Sequence, residues 1–139
     1  MSKKSAKIAD QIRHLQGRGT NPHYLGYFDC FNRQLFYEAH DVLEELWLED
    51  RNGPDGDFFK GLIQLAGAFV HVQKKRSGPA VSLLCLAENN LRKYPARHRQ
   101  LDLEKVLELI GAWRSTLEGR RGTLEILQNP PQLSLINQS

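Results

Sequence analysis

The chain has 139 residues, of which 40% are hydrophobic and 25% charged, and carries a formal net charge of +3. That balance excludes an intrinsically disordered chain and fits one globular domain that can bury a core without disulfide staples. The 19 basic and 16 acidic residues are interspersed, which argues against an extended phosphate-binding surface and a nucleic-acid role.

No apolar run approaches the roughly 18 residues needed to span a bilayer, so no membrane role is expected. Lys3, Lys4 and Lys7 have no apolar stretch behind them and do not form a signal peptide. Cys30 and Cys85 form neither a CxxC pair nor a disulfide framework, and both lie among apolar residues at helical spacing. Buried free thiols in a soluble, cytoplasmic protein are the expectation.

Residues 1–20 read as a basic, flexible leader, at most briefly helical around Ile8 to Leu15 and ending in Gly17-Arg18-Gly19-Thr20. Residues 21–122 read as a helical bundle domain, and residues 123–139 as an extended C-terminal tail. Asn21-Pro22 resembles an N-cap followed by proline at the first helical position, and predicts a short helix over about His23 to Asn32, weakened by Gly26. The next helix is clear over Gln34 to Glu49, where Leu35, Ala39, Val42 and Leu46 recur at three- and four-residue steps beside Phe36, Leu43 and Trp47. The breakers from Asp50 to Gly56 end it.

A third helix, capped by Asp55 or Asp57, is predicted from about Asp57 to Lys75. Its apolar surface is wide, which suggests a central helix, and Gly61, Gly67 and Ala68 would admit close neighbours. Lys74, Lys75 and Arg76 suit its C-terminal dipole, with Gly78 following. Ser77 is expected to cap a fourth helix that Pro95 stops, and a fifth runs over about Asp102 to Glu118. The tail, with Asn129-Pro130-Pro131, should be extended and pack Leu133, Leu135 and Ile136 on the surface. Sustained period-two alternation is missing, so the predicted fold is all-α: about five helices, no sheet.

Chemistry concentrates on the second helix. His40 and Glu44 are four residues apart and share a face, with Tyr37 and Asp41 alongside. Lys60, Gln64, Gly67 and His71 form the polar stripe of the third helix. A short loop should make the two helices antiparallel, so the stripes would face each other and enclose His40, Glu44, Lys60 and Gln64, with Tyr37, Asp41 and His71 at the edge. Such a cluster either satisfies itself and fixes helix register, or forms a ligand site. A metal site is the sharper alternative, with His40 and Glu44 as candidate ligands, but two ligands are too few and the bundle di-iron pattern is missing.

Hydrolysis would require a nucleophile or activated water beside His40, and neither serine nor cysteine is obviously placed there. Glu38, Glu45 and Glu49 read as solvated charge. The basic run from Arg92 to Arg99 approaches the acidic loop of Glu49, Asp50, Asp55 and Asp57, which favours local pairing over phosphate binding.

Two linked motifs carry a family resemblance. Phe36-Tyr37-Glu38-Ala39-His40-Asp41-Val42-Leu43-Glu44-Glu45-Leu46-Trp47, then Phe58-Phe59-Lys60-Gly61-Leu62-Ile63-Gln64-Leu65-Ala66 and a later His71, resemble the domain-of-unknown-function 309 family over about residues 25–92. The resemblance implies a small multi-helical bundle of bacterial, archaeal or plastid type. Its signature falls on Glu38, His40, Asp41, Glu44, Trp47 and Gln64, and it implies no particular activity. Asp41 departs from the family's usual Glu, and Arg33-Gln34 stand where a Gly often precedes the aromatic pair.

The reading is therefore a non-catalytic binding or interaction domain with a polar His–Glu–Gln cluster between two helices. A metal- or small-ligand-dependent enzyme of hydrolase type and a nucleic-acid accessory protein are the alternatives. No cofactor is identified, a small ligand or protein is the expected partner, and an exposed Trp113 or Leu117 stripe would support a homodimer.

Overall fold

The computed structural model describes residues 3–17, 20–119 and 128–136. Among them are six α-helices: α1 (Lys3–Ile12), α2 (Pro22–Asn32), α3 (Phe36–Asp50), α4 (Gly56–Gln73), α5 (Ser77–Leu91) and α6 (Leu103–Glu118), with a short 3-10 turn at Arg13–Leu15. Strands β1 (Arg97–His98) and β2 (Leu101–Asp102) pair antiparallel between α5 and α6. No helix is long and apolar enough to cross a membrane.

Five helices and no sheet thus become six helices and one small hairpin. Each strand has only two residues, too few for a period-two pattern to register in sequence. The extra helix is α1. The segment expected as a loose leader buries Ile8, Ile12 and Leu15 in the core. Gly26 makes room for it, because a Cβ there would stand 2.5 Å from the Ile12 Cγ2 and 3.1 Å from Val42. The glycine that weakens α2 as a helix is what lets α1 pack on it. Residues 18 and 19, and the predicted boundary at 122 and 123, lie outside the described residues.

Helix α2 starts as its sequence dictates: the Asn21 side chain accepts from the His23 and Tyr24 amides, and Pro22 occupies the first turn. It contributes the buried rings Tyr24, Tyr27, Phe28 and Phe31. Helix α4 is central, as its broad apolar surface predicts, burying residues from Phe58 through Val72. It runs antiparallel to α3: Phe69 meets Phe36 at 5.3 Å, while Lys60 at the other end lies over the Trp47 ring at 5.9 Å. Trp113 and Leu117 of α6 are buried rather than exposed, so they form core and offer no dimer stripe.

Helix ends depart from prediction in instructive ways. Ser77 is the first helical residue of α5 and not its cap, which is Arg76 without a side-chain bond. Asp55 holds the N-cap position of α4 yet makes no cap bond. The Tyr94 hydroxyl, reaching across from beyond α5, accepts from the Phe58 amide at 2.9 Å and donates to the Pro54 carbonyl at 2.8 Å.

Helices α2 and α4 both stop in a six-residue reverse turn. Leu35 bonds back to the Cys30 carbonyl and Arg76 to that of His71, leaving Gln34 and Lys75 at φ 63 and 60. Gly78 plays no part in that stop. Gln34 thus occupies a left-handed position that glycine adopts without steric cost. Relief of a left-handed conformation that costs an L-residue about 1–2 kcal/mol, less the roughly 0.5–1 kcal/mol of extra chain entropy that glycine loses on folding, predicts that Gln34→Gly raises unfolding stability by about 0.5–1 kcal/mol, read as a higher urea midpoint at unchanged slope.

Candidate functional site

A partly exposed face of α3 carries Tyr37, His40, Asp41 and Glu44. Tyr37 is 60% exposed. Its ring stacks on His40, with centroids 6.2 Å apart and planes 25° apart. The His40 Nδ1 lies 3.2 Å from an Asp41 oxygen and its Nε2 3.9 Å from Glu44, so the imidazole stands between two carboxylates with 32% of the side chain exposed. The i, i+4 spacing brings His40 and Glu44 together as expected.

A group that the sequence did not point to completes this face. Lys4 of α1 places its Nζ 3.2 Å from Asp41 and 3.2 Å from Glu44. Partial burial disfavours the ammonium charge, but hydrogen bonds to Glu44 and Asp41 outweigh this and hold Lys4 above the ordinary lysine range. Only the folding of α1 as a helix makes this contact, so reading the segment as a leader concealed it.

Gln64 turns the other way. Its carbonyl accepts from the Asn90 amide of α5 at 2.8 Å, so the expected enclosure of His40, Glu44, Lys60 and Gln64 is divided between two faces of the hairpin. Gly61 explains the division. A Cβ at that position would stand 3.2 Å from the Asn90 Cβ and 2.9 Å from Leu91, so its absence lets α5 approach α4 three residues before Gln64. The two motif residues Gly61 and Gln64 therefore serve the α4–α5 seam. Lys60 is exposed beside half-buried Trp47.

Glu38 lies half-buried in the first turn of α3, where its charge complements the helix dipole. Burial first, then the charges of Asp29 and Glu38, push the free Cys30 thiol up to about 11. A protonated thiol of that kind is a poor nucleophile. His71 sits in the last turn of α4 with Nδ1 buried and, among the described residues, without a hydrogen-bond partner. Glu45, expected as solvated charge, is only 27% exposed and pairs with His23 of α2 at 3.1 Å.

The basic run after α5 meets the acidic loop, as its position along the chain suggests. Lys93 bonds Asp57 at 2.8 Å, and Asp55 takes His98 on one oxygen at 2.7 Å and Arg99 on the other at 2.9 Å. Lys93 and Arg99 are thus engaged within the fold. Among the described residues, no group of three or more His, Cys, Asp or Glu side chains is placed to hold a metal ion, including around His40 and Glu44.

The two motif helices, α3 and α4, stand side by side with α2 and the start of α5 around them. Residues 24–83 match the domain of unknown function DUF309. The DUF309 segment thus holds α2, α3, α4 and the first turns of α5, and the resemblance carried by the two linked motifs is shown over that stretch. Over 80 residues the chain is 34% identical to the uncharacterized protein YpuF of Bacillus subtilis (strain 168), an alignment covering 54% of this chain. The chain spans only 44% of that relative's length. No solved structure matches significantly. Lys4, His98 and Arg99, which pair with Asp41, Glu44 and Asp55 of the DUF309 segment, all come from flanking sequence.

Proposed function

We propose that this chain is a non-catalytic binding domain whose α3 face recognises an alkylammonium group on a protein partner. One observation carries the reading: the chain's own Lys4 ammonium rests between Asp41 and Glu44, beside a stacked Tyr37–His40 pair. Two carboxylates and an exposed aromatic edge are the complement of a lysine side chain, with charge-assisted hydrogen bonds at the head and ring contact along the stem. Asp41 in place of the longer Glu shortens the reach of one carboxylate without changing its charge.

The Lys4 contact is exposed enough to exchange, since ion pairs of this kind contribute about 0–1 kcal/mol. In the full-length Lys4→Ala chain, titration with the peptide Gly-Lys-Gly should shift the amide resonances of residues 37–44, and the norleucine analogue should not. Adding Glu44→Gln should weaken the response by about tenfold, the loss of one charged hydrogen bond. A folded Lys4→Ala chain unresponsive to the lysine peptide sinks the reading. Metal that co-purifies with the chain and is lost in His40→Ala would replace it with a metal-dependent enzyme.

A further inference from the structure

The described part of the C-terminal tail, residues 128–136, does more than cover the surface. Pro131 and Leu133 are buried, Leu135 is half-buried, and Gln132 and Ser134 between them are exposed. That two-residue alternation belongs to an extended strand with one face inward. Leu133 is only 4% exposed.

The strand is held mainly by its backbone. The Asn32 side-chain amide donates to the Leu133 carbonyl at 2.7 Å and accepts from the Leu133 amide at 2.7 Å. It thereby satisfies both main-chain groups of one residue, as a neighbouring strand would. Leu135 bridges antiparallel to Leu101, and the Ile136 amide donates to the Gln100 carbonyl at 2.6 Å. The receiving edge is itself unusual: Arg99 and Gln100 both adopt positive φ, 48 and 65, the turn a two-residue hairpin demands but one ordinarily given to Gly or Asn. The Tyr24 hydroxyl bonds the Arg99 carbonyl at 2.8 Å and fixes that turn from α2.

Backbone bonds for affinity and alternate side chains for specificity are how proteins bind extended peptides. Among the described residues a cavity of about 440 Å³ runs along the tail, walled by Leu101, Val106 and Leu109 and flanked by two basic side chains, Arg97 and Lys105, and one acidic one, Asp102. Residues 128–139 contain no acidic side chain, so Asp102 alone faces the two basic ones and an excess of positive charge remains.

We infer that the groove formed by Asn32, the β1–β2 hairpin and the first turns of α6 is a peptide-binding site. Its ligand is an extended segment of a partner protein with apolar residues at every second position and an acidic residue after them. The chain's own Pro131, Leu133 and Leu135 occupy the site in cis, so the tail acts as a tethered competitor.

Tethering gives the tail an effective concentration in the millimolar range, so it must be weakened before a free peptide is seen. The test uses the full-length Leu133→Asp chain and two fluorescent peptides, one copying residues 128–136 and one with two glutamates added at its end. Leu133→Asp should bind both saturably and the glutamate-extended one more tightly. The unsubstituted chain should bind at least about tenfold more weakly, and the Asn32→Ala/Leu133→Asp chain should not bind. A folded Leu133→Asp chain that binds neither peptide overturns the inference, as does binding indifferent to Asn32.

If Leu133→Asp does not fold, hydrogen exchange on the unsubstituted chain decides. Millimolar glutamate-extended peptide should strip protection from the Leu133 and Ile136 amides while α2 to α6 keep theirs. Unchanged tail protection overturns the inference.

Discussion

Phe69→Ala is expected to lower unfolding stability by about 3–5 kcal/mol, the cost of emptying a large aromatic site in a packed core. Phe69 is fully buried in α4 and sits where three other helices converge. Its ring lies 5.7 Å from Phe31 of α2, 5.3 Å from Phe36 of α3 and 5.0 Å from Trp113 of α6. Two of these contacts are edge-to-face, so the loss includes oriented ring interactions as well as buried area. Neighbouring rings cannot collapse into the space without leaving their own partners. Phe69→Leu should cost less than half as much. Urea unfolding followed by tryptophan fluorescence measures both, and a Phe69→Ala loss under about 1.5 kcal/mol would show that α6 docks on the bundle without this ring.

Asp55→Ala should cost about 1.5–3 kcal/mol at neutral pH, because one carboxylate holds two cationic or cation-forming groups on a strained hairpin. Asp55 is 19% exposed and both its oxygens are engaged, by His98 and Arg99. Arg99 in turn lies over Tyr24 at 5.4 Å and Phe59 at 5.0 Å. Without Asp55 that guanidinium stays packed on two rings with no counter-charge, and the positive-φ turn loses its anchor. The partial exposure of Arg99 keeps the loss below that of a fully buried pair.

The pH dependence has a definite sign. Burial acts to raise the Asp55 carboxyl, but hydrogen bonds from His98 and Arg99 outweigh it and hold the group below its ordinary value. A carboxyl depressed in the folded state contributes its full stabilisation above the unfolded pKa, about 3.9, and loses it as pH falls through the lower folded value. The stability difference between the unsubstituted chain and Asp55→Ala should therefore shrink below about pH 4. A difference that instead grows with acid would mean that Asp55 is not the group holding the hairpin.

The same residue shows where local rules stop. An Asp just before an apolar helix is a natural cap, and Asp55 occupies that position. Tyr94, far along the chain, supplies the cap instead and leaves the carboxylate for His98 and Arg99. Glu45 was similarly readable as solvated, since its partner His23 belongs to another helix. Lys4 was invisible as a site residue because Ile8 and Ile12 of α1, with Leu15 in the turn after it, are too few to announce a docked helix. They count only against the gap that Gly26 leaves.

Capping signals and periodicity along the chain were enough to place α2 through α6, to make α4 central, and to bring His40 within reach of Glu44. These features depend on bonds and spacings within a few residues, and a helix repeats them whatever surrounds it. Which hydrophilic side chain meets which was settled only by packing. Gln64 could satisfy its amide with equal benefit on α3 or on α5, and the missing Cβ at Gly61 brought Asn90 of α5 closer. Hydrogen bonds gain their stability from geometry, and geometry between distant segments exists only once the core has closed.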